Sequence, residues 1–321
     1  MAGTPRGSEE SSLKIAYFGL PLGALLLARD GHRLGPVVLS PIEAPGRRRL
    51  TRLVPKLLDA NASPATPDFE TRVSEALARE RPDLLVSWFW TRKLPPSWLG
   101  QATLGAIGVH PSLLPRHRGP NPYFWSIDAG DEQAGVTVHR LSAEYDTGQL
   151  LAARSIPLGA RNAWQLARAL DRPSLALLRE TVARFAQGAA IAETPQDEQL
   201  ASWAPEPAGD ALKVDFGWAT ERVLRRVRAL SPTPGVALEV EGVPLFVTQA
   251  ERADRYIAAL LPGEAHISDA LTLRTADGAI TVTRACFPDA HGAEADDDDD
   301  VVQAANAADV ATELLKRRAA P

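Results

Sequence analysis

Residues 105–119 read GAIGVHPSLLPRHRG, and residues 135–148 read GVTVHRLSAEYDTG. The apolar run at residues 106–109 predicts a short buried strand that ends at His110. The two prolines that follow keep the next loop extended, because proline fixes its own φ and disfavours the α region for the preceding residue. Open α/β sheets bind ligands at the carboxyl ends of their strands, so His110 is a candidate functional residue.

A doubly wound, mostly parallel α/β sheet is predicted for the N-terminal part of the chain. Residues 13–18 predict a strand, Gly19 a tight turn and residues 20–29 a helix, which is the usual opening of such a sheet. No G-x-G-x-x-G pattern accompanies Gly19, so a phosphate-binding turn is not predicted there. Further strands are predicted at residues 36–40, 84–88, 135–141 and 150–158, and helices at residues 68–81, 121–130 and 162–188.

A second, smaller domain is predicted after a proline-containing linker. Its short strands, separated by turn residues, indicate a small open β-barrel. A helix is predicted at residues 218–230, and strands at residues 236–240, 243–249, 256–261, 271–274 and 280–284. The predicted order is a flexible N-terminus at residues 1–12, an α/β domain at 13–190, the linker at 191–209, the barrel at 210–288, and an acidic tail with a short helix at 289–321.

Composition excludes several classes of partner. The chain has 321 residues, 45% of them apolar and 23% charged, which is typical of a globular protein. The aspartates at residues 296–300 equal the net charge of −5, so the remainder is near neutral and predicts no general attraction to DNA. No apolar run is long enough to span a bilayer, and the single cysteine, Cys286, allows no intrachain disulfide. We expect a cytoplasmic protein with no membrane partner, and we predict no metal site.

Residues 105–148 resemble the signature of the folate-dependent formyltransferases, which include methionyl-tRNA, glycinamide ribonucleotide and sugar-amine N-formyltransferases. The matching residues are His110 with the Pro-Ser-Leu-Leu-Pro run after it, Arg118 with Gly119, and Asp146 with Thr147 and Gly148. The likeness extends loosely over residues 13–285 and implies a Rossmann-like formyltransferase domain followed by an OB-like barrel. One position departs from the pattern, because the family has asparagine two residues before the histidine and this chain has Gly108.

The resemblance implies transfer of a formyl group from 10-formyltetrahydrofolate to a primary amine, with His110 as the acid/base and Asp146 as its partner. Histidine has an unperturbed pKa of about 6.5, which suits proton handling near neutral pH, and a carboxylate stabilises its charged form. The family's asparagine donates to the developing oxyanion, and Gly108 lacks that amide. Loss of one such donor typically costs about 10²–10³-fold in rate, so Gly108 is also a candidate catalytic position.

The resemblance also assigns residues to the two substrates. The predicted folate-binding residues are Trp88, Phe89, Trp90, Leu94, Tyr145 and Asp146. The predicted acceptor-binding residues are Ser112, Leu113, Leu114, Pro115, Arg118 and Gly119, with Arg47 and Arg48 as a basic contact for a phosphate-bearing acceptor. For the two tryptophans, the alternative to ligand binding is that they are core residues. For the arginine triplet at residues 47–49, the alternative is a solvated, positively charged helix start. His117 is predicted at the surface and His139 as a structural residue.

Three functional hypotheses follow. The first is an N-formyltransferase whose acceptor is a specialised-metabolite amine, an amino sugar or an aminoacyl group such as that of methionyl-tRNA. The second, motivated by Gly108, is a catalytically impaired protein that keeps a binding or regulatory function. The third is a related acyl-chemistry enzyme on the same scaffold, such as a formyl-folate hydrolase or a tailoring enzyme. The retained histidine and aspartate favour the first hypothesis.

Overall fold

The computed structural model describes residues 12–41, 47–54, 68–288 and 301–319. Its helices are α1 (Pro21–Arg29), α2 (Arg47–Thr51), α3 (Phe69–Glu80), α4 (Pro96–Leu99), α5 (Pro122–Ala129), α6 (Ala163–Ala186), α7 (Thr220–Ala229) and α8 (Ala307–Arg318). Its strands are β1 (Lys14–Gly19), β2 (Arg33–Leu39), β3 (Leu84–Trp88), β4 (Ala106–His110), β5 (Gln133–Arg140), β6 (Leu150–Pro157), β7 (Val236–Val240), β8 (Val243–Arg252), β9 (Ala265–Ile267), β10 (Leu271–Arg274), β11 (Ala279–Pro288) and β12 (Val301–Ala304). Residues 1–11 of the predicted N-terminal segment and residues 289–300 of the predicted acidic tail lie outside the described residues.

The first sheet has the strand order β2-β1-β3-β4-β5-β6. β1 pairs parallel with β2 and β3, and β3 pairs parallel with β4, whereas β5 runs antiparallel to β4. The chain moves from β1 to β2 and then crosses to β3 on the other side of β1, which defines a doubly wound sheet. The predicted fold class is confirmed, and His110 ends β4 at its carboxyl edge.

β1 is an interior strand of this sheet, and its side chains are apolar on both faces. Ile15 and Phe18 are fully buried, as expected for a parallel strand covered on both faces. Phe18 stacks on Trp98 with ring centroids 5.6 Å apart and meets Trp90 edge-on at 5.7 Å. This aromatic cluster also contains Leu94, so the core reaches into the loop after β3. The sheet edge that carries His110 therefore rests on a rigid base.

The second sheet is a curled antiparallel half-barrel with the order β7-β8-β11-β10-β9, and β12 pairs with β11. This confirms the predicted barrel-like domain. The strand predicted at residues 256–261 is wrong, because these residues form a loop. Tyr256, Ile257 and Leu261 are exposed, so the apolar residues of this segment do not alternate into the core. Pro262 follows at once and has no N–H to give to a ladder.

The chain end folds onto the second sheet. Strand β12 precedes helix α8, whose Val310, Ala311 and Leu314 are buried. Arg317 lies over the ring of Phe287 on β11 with its guanidinium carbon 5.3 Å from the centroid. The short helix predicted for the tail is thus present and packs on the sheet. In the part of the chain that the structure describes, no helix is long and apolar enough to cross a bilayer.

The chain divides into two compact units. The first contains residues 1–120, 135–156 and 169–203, and the second contains residues 121–134, 157–168 and 204–321. The segment predicted as a linker is not a free connection throughout, because Thr194 exchanges backbone hydrogen bonds with Leu150 at 2.8 and 2.9 Å. We call residues 194–203 the strap. The strap belongs to the first unit, as do all residues of the site described next.

Candidate active site

Asp146 lies between two buried histidines. Its Oδ2 is 3.5 Å from His110 Nδ1, and its Oδ1 is 3.5 Å from His139 Nε2. The side chains of His110 and His139 are 7% and 2% exposed, whereas that of Asp146 is 16% exposed. The carboxylate is therefore the most accessible group of the three to an incoming substrate.

Strand register brings these side chains together. β4 and β5 are antiparallel neighbours, with Gly108 opposite His139 and His110 opposite Thr137. Asp146 lies in the turn after β5 and has a φ of 57°, which is uncommon for a residue with a side chain. Its Oδ2 accepts a hydrogen bond of 2.9 Å from the backbone N–H of Gly119. The carboxyl end of β4, the facing part of β5 and the turn after β5 thus meet at the site.

Hydrogen bonds fix which ring nitrogen carries the hydrogen when each histidine is neutral. His110 Nε2 is 2.7 Å from the His117 carbonyl oxygen, and His139 Nδ1 is 2.8 Å from the Arg140 carbonyl oxygen. A carbonyl oxygen only accepts, so each of these nitrogens carries the hydrogen. The bare nitrogens of the neutral rings are then His110 Nδ1 and His139 Nε2, and both face Asp146. A carboxylate also only accepts, so this cluster has a place for one added proton.

Burial keeps His139 neutral at ordinary pH. Removal from water disfavours its charged form and lowers its pKa to about 4, although the Asp146 carboxylate opposes this effect. The neighbouring positive charge that His110 can carry lowers the pKa of His139 further. His139 is therefore neutral near pH 7.

Leu141 occupies the space beside Gly108. A Cβ placed on Gly108 would lie 2.6 Å from Leu141 Cδ2 and 3.4 Å from His139 Nε2. The first distance is too short for an undisturbed contact, so a side chain at position 108 requires Leu141 to move. Gly108 lies where the sequence resemblance predicts an asparagine, and Leu141, which follows β5, fills part of the space that the asparagine side chain would occupy.

The loop after β4 is held by its own polar groups. Ser112 Oγ donates to the Arg116 carbonyl at 2.7 Å, and Thr137 Oγ1 donates to the Ser112 carbonyl at 2.7 Å. The same Thr137 oxygen accepts from the backbone N–H of Leu114 at 3.2 Å. These bonds explain why the loop has one fixed path across β5.

Comparison with known proteins identifies the family to which this chain belongs. Residues 35–169 match the model of the formyl transferase family, and residues 210–297 match that of the formyl transferase C-terminal domain. A methionyl-tRNA formyltransferase of Rhizorhabdus wittichii is 32% identical over 285 residues, which cover 85% of this chain and 90% of that protein. The chain belongs to the formyltransferase family. This confirms the resemblance seen in residues 105–148 and the expected enzyme class.

Solved structures show the same fold as this formyltransferase. HypX from Aquifex aeolicus, in complex with tetrahydrofolic acid, has a TM-score of 0.63 at 24% identity over 95% of this chain and 48% of that chain. This protein thus spans about half the length of HypX. An N-formyltransferase from Helicobacter canadensis, in complex with folinic acid and dTDP-3-aminofucose, has a TM-score of 0.63 at 12% identity, covering 84% of this chain and 98% of that one.

Several residues predicted to bind the acceptor hold the site of this formyltransferase together. Arg118 is 8% exposed, and its guanidinium is bonded to Gln196 and Glu198 of the strap. Gly119 donates its N–H to Asp146. Ser112 and Leu114 are buried, and Leu113 and Pro115 are half-buried. Contact of these six residues with an acceptor stays a prediction.

The prediction that His117 lies at the surface is wrong. It is 5% exposed, and its φ of 58° turns the residue inward. Its backbone N–H donates to Ser202 Oγ at 2.9 Å, and its carbonyl accepts from His110. His117 therefore helps to fix the orientation of the His110 ring.

The residues predicted to bind folate lie in two loops that touch. Lys93 pairs with Glu144 at 3.2 Å and lies 5.7 Å from the ring centroid of Tyr145, which joins the loop after β3 to the loop after β5. Trp88 and Leu94 are buried in the core, and Trp88 Nε1 donates to Ser174 Oγ at 3.0 Å. Trp88 therefore has little exposed surface for a ligand, and its indole N–H is already used.

Phe89 and Trp90 occupy a different position in that loop. Both are half-buried, and Phe89 has a φ of 54°. The indole Nε1 of Trp90 is buried and has no hydrogen-bond partner among the described residues. A buried donor without a partner is costly, so this N–H fits a site that a polar ring such as a pterin would complete. The side chains of Arg47 and Arg48 lie outside what the structure describes.

Sequence reasoning missed two residues of the site. His139 was predicted to be structural, although the alternation of β5 puts it on the same face as Thr137. Gln196 was assigned to a linker, yet its amide contacts the backbone of Asp146. The strand pattern gave the face of His139 but not its register against β4, and nothing local marked Gln196.

Proposed function

We propose that this protein transfers the formyl group of 10-formyltetrahydrofolate to a primary amine, and that the acceptor is the aminoacyl nitrogen of methionyl-tRNA. The observation that carries the chemistry is the position of Asp146 between two bare imidazole nitrogens. The acceptor is supported by the relatives named methionyl-tRNA formyltransferase, which align over 85% and more of this chain. The formyl donor is the one that the sequence resemblance implied.

The first task of the site is to accept a proton. An amine attacks only in its neutral form, and it must lose a proton as the new carbon–nitrogen bond forms. In this proposal, Asp146 receives that proton because it is the most exposed member of the cluster. His110 Nδ1 shares this proton with Asp146 Oδ2, so the pair acts as one proton-holding unit. The pair then gives the proton to the nitrogen of the donor as the bond between that nitrogen and the formyl carbon breaks, and tetrahydrofolate leaves.

The second task is to stabilise the oxyanion that forms on the attacked carbonyl. The bound 10-formyltetrahydrofolate supplies the formyl carbon that the amine attacks. A protonated His110–Asp146 pair carries less negative charge than before the transfer, so it repels the oxyanion less. Gly108 contributes no donor, which predicts a slower enzyme than one with an amide at this position.

The residues proposed to hold the donor are Phe89, Trp90 and Tyr145. Trp90 offers a flat half-buried ring and an unpartnered N–H, and Tyr145 lies across the neighbouring loop. Flat aromatic side chains suit a pterin because stacking adds to area burial. Trp88 and Leu94 support the loop from the core in this proposal.

The residues proposed to approach the acceptor include the exposed arginines of α2 and the turn after it. Arg49 and Arg52 are exposed, and they follow β2 in the sequence. Arginine binds phosphate oxygens through two parallel hydrogen bonds, so a nucleic-acid acceptor is favoured over an uncharged amine. This extends to Arg49 and Arg52 the role predicted for Arg47 and Arg48.

The decisive experiment measures formylation with Asp146→Asn. The purified chain is incubated with 10-formyltetrahydrofolate and either methionyl-tRNA, an amino-sugar nucleotide or no acceptor, and the product is identified by mass. We expect formylmethionyl-tRNA from the wild type and a loss of about 10²–10⁴-fold in kcat for Asp146→Asn, with tetrahydrofolate binding retained. Glu75→Gln removes an exposed carboxylate from α3 in the same unit and is the control, with activity near that of the wild type.

The outcomes separate the hypotheses. A formylated amino sugar in place of formylmethionyl-tRNA would keep the chemistry and replace the acceptor. Tetrahydrofolate released equally with and without an amine would identify a hydrolase. An Asp146→Asn variant as active as the wild type would refute the proposed role of the carboxylate.

A second candidate function is folate binding without catalysis, and the environment of Gly108 favours it. The space for a side-chain donor is partly filled by Leu141, so the site has no room for the family's amide as it stands. This candidate predicts tight tetrahydrofolate binding and no product with any of the acceptors. The same assay therefore distinguishes it from the first.

A further inference from the structure

The amide of Gln196 connects the strap to the turn that carries Asp146. Gln196 Nε2 donates to the Asp146 carbonyl at 2.7 Å and to the Gly148 carbonyl at 2.8 Å. A primary amide has two hydrogens, so both are used. The turn of Asp146 is thus held by a residue 50 positions away in the sequence.

The turn needs this support because of its backbone conformation. Asp146 has a φ of 57°, a region that is strained for a non-glycine residue and persists only where the surroundings impose it. Gly148 passes so close to β5 that a Cβ there would lie 1.9 Å from the Arg140 carbonyl oxygen. Gln196 binds the carbonyls of Asp146 and Gly148, which both belong to this tight turn. The amide therefore fixes the path of the turn and the direction of the carboxylate.

Arg118 fixes the orientation of the Gln196 amide. Its Nε and Nη2 donate to Gln196 Oε1 at 3.0 and 2.8 Å, and its Nη1 and Nη2 donate to Glu198 at 2.9 and 2.8 Å. A guanidinium only donates, so the atom beside Arg118 must be the amide oxygen, and the NH₂ group must face Asp146. The neighbouring Gly119 N–H binds the carboxylate itself, so residues 118 and 119 secure both the backbone and the side chain of Asp146.

We infer that Gln196 is a positioning residue for formyl transfer, which acts by holding Asp146 in line with His110. Its side chain contacts the backbone of Asp146 and Gly148, and it acts on the reaction through the carboxylate. This inference rests on the proposed role of Asp146. A displacement of a catalytic group by about 1 Å costs on the order of 10²-fold in rate, which sets the scale of the expected effect.

Two substitutions test the inference. Gln196→Ala removes both links, whereas Gln196→Glu keeps an oxygen for Arg118 and removes the two N–H donors to the turn. We expect kcat for methionyl-tRNA formylation to fall about 10- to 100-fold in both variants, with the KM for 10-formyltetrahydrofolate within about twofold of wild type. Gln199→Ala and Gln199→Glu, at an exposed glutamine of the same strap, are the matched controls and should keep wild-type rates.

A second readout needs no substrate. The imidazole resonances of His110 are followed by NMR as the pH changes, in the wild type, in Gln196→Ala and in Asp146→Asn. A positioning role predicts that Gln196→Ala, which adds no charge beside the turn, moves the His110 midpoint in the same direction as Asp146→Asn, by a smaller amount. A merely structural role would lower the unfolding temperature and leave both this midpoint and the pH profile of kcat unchanged.

The outcomes distinguish this inference from the function on which it rests. If Asp146→Asn abolishes formyl transfer while Gln196→Ala matches the wild type in kcat and in the His110 titration, the inference about Gln196 is wrong and the proposed function stands. If Asp146→Asn is fully active, the proposed role of Asp146 is wrong, and the inference about Gln196, which rests on that role, is wrong as well. Parallel losses in Gln196→Ala and Gln196→Glu, with unaffected Gln199 variants, support the inference.

Discussion

At the scale of single residues, Gly108 determines whether this site has the side-chain amide donor that the resemblance to the formyltransferases predicts. The glycine removes an amide, and Leu141 takes part of the space where a side chain would lie. The nearest polar atom to that space is His139 Nε2, at 3.4 Å from the position of a Cβ. Because this nitrogen is bare in the neutral ring, it offers an acceptor and cannot replace the amide donor.

We predict that an asparagine at position 108 works only if Leu141 is shortened. Gly108→Asn alone should gain little, since its Cβ would lie 2.6 Å from Leu141 Cδ2. The double variant Gly108→Asn with Leu141→Ala should exceed the kcat of the wild type by up to about 10²-fold, the usual contribution of one oxyanion donor. The measurement is single-turnover formylation. A double variant no faster than Leu141→Ala alone would contradict this explanation.

At the scale of elements, an ion-pair cluster joins α5 to α7 in the second unit. Asp128 on α5 is 5% exposed and binds both Arg222 and Arg226 on α7. Arg226 Nη1 also donates to the carbonyls of residues 210, 211 and 213 at 2.9, 3.0 and 2.7 Å. Burial alone would raise the pKa of Asp128, but the hydrogen bonds from Arg226 and Arg222 outweigh it and hold that pKa below its usual value.

Asp128→Asn should therefore be strongly destabilising. It leaves two guanidinium groups with less negative charge beside them, and breaking a buried pair in this way typically costs about 3–5 kcal/mol. Glu221→Gln removes the more exposed partner of Arg228 on the same helix and should cost less than about 1 kcal/mol. Denaturant unfolding of the two variants measures the difference. Equal losses would show that the Asp128 cluster is no stronger than a surface pair.

At the scale of the whole molecule, the buried His139 makes stability depend on pH. Its pKa is about 4 in the folded chain and about 6.5 when unfolded, so the unfolded chain binds more protons between these values. Stability therefore decreases as the pH falls from about 6.5 to about 4 and is insensitive to this group above that range. The shift corresponds to at most about 3 kcal/mol.

His139→Gln should flatten that dependence. The difference in unfolding free energy between wild type and variant isolates this histidine from the other groups that titrate in acid, provided that both are measured at matched pH values. We expect the wild type to lose more stability than the variant between pH 6.5 and pH 4. Parallel curves for the two proteins would show that His139 is not held neutral by burial.

The sequence alone determined the sheet class and the half-barrel, and its resemblance to the formyltransferases implied the partnership of His110 with Asp146. Strand periodicity, prolines and short motifs are properties of neighbouring residues, so they can be recognised in the sequence before the fold is known. The same local logic failed at residues 256–261, where an apolar run without alternation gave a loop, and at His117, where a positive φ turned the residue inward.

Tertiary structure alone decided which other groups complete the site. His139 reaches Asp146 through the register of β4 and β5, Leu141 fills the space at Gly108, and Gln196 returns from the strap to hold the turn. These contacts depend on strand register and on one left-handed backbone position, and neither is encoded in a local pattern of residue types. A one-residue slip of register would move each side chain to the opposite face, which is why the folded chain was needed to find them.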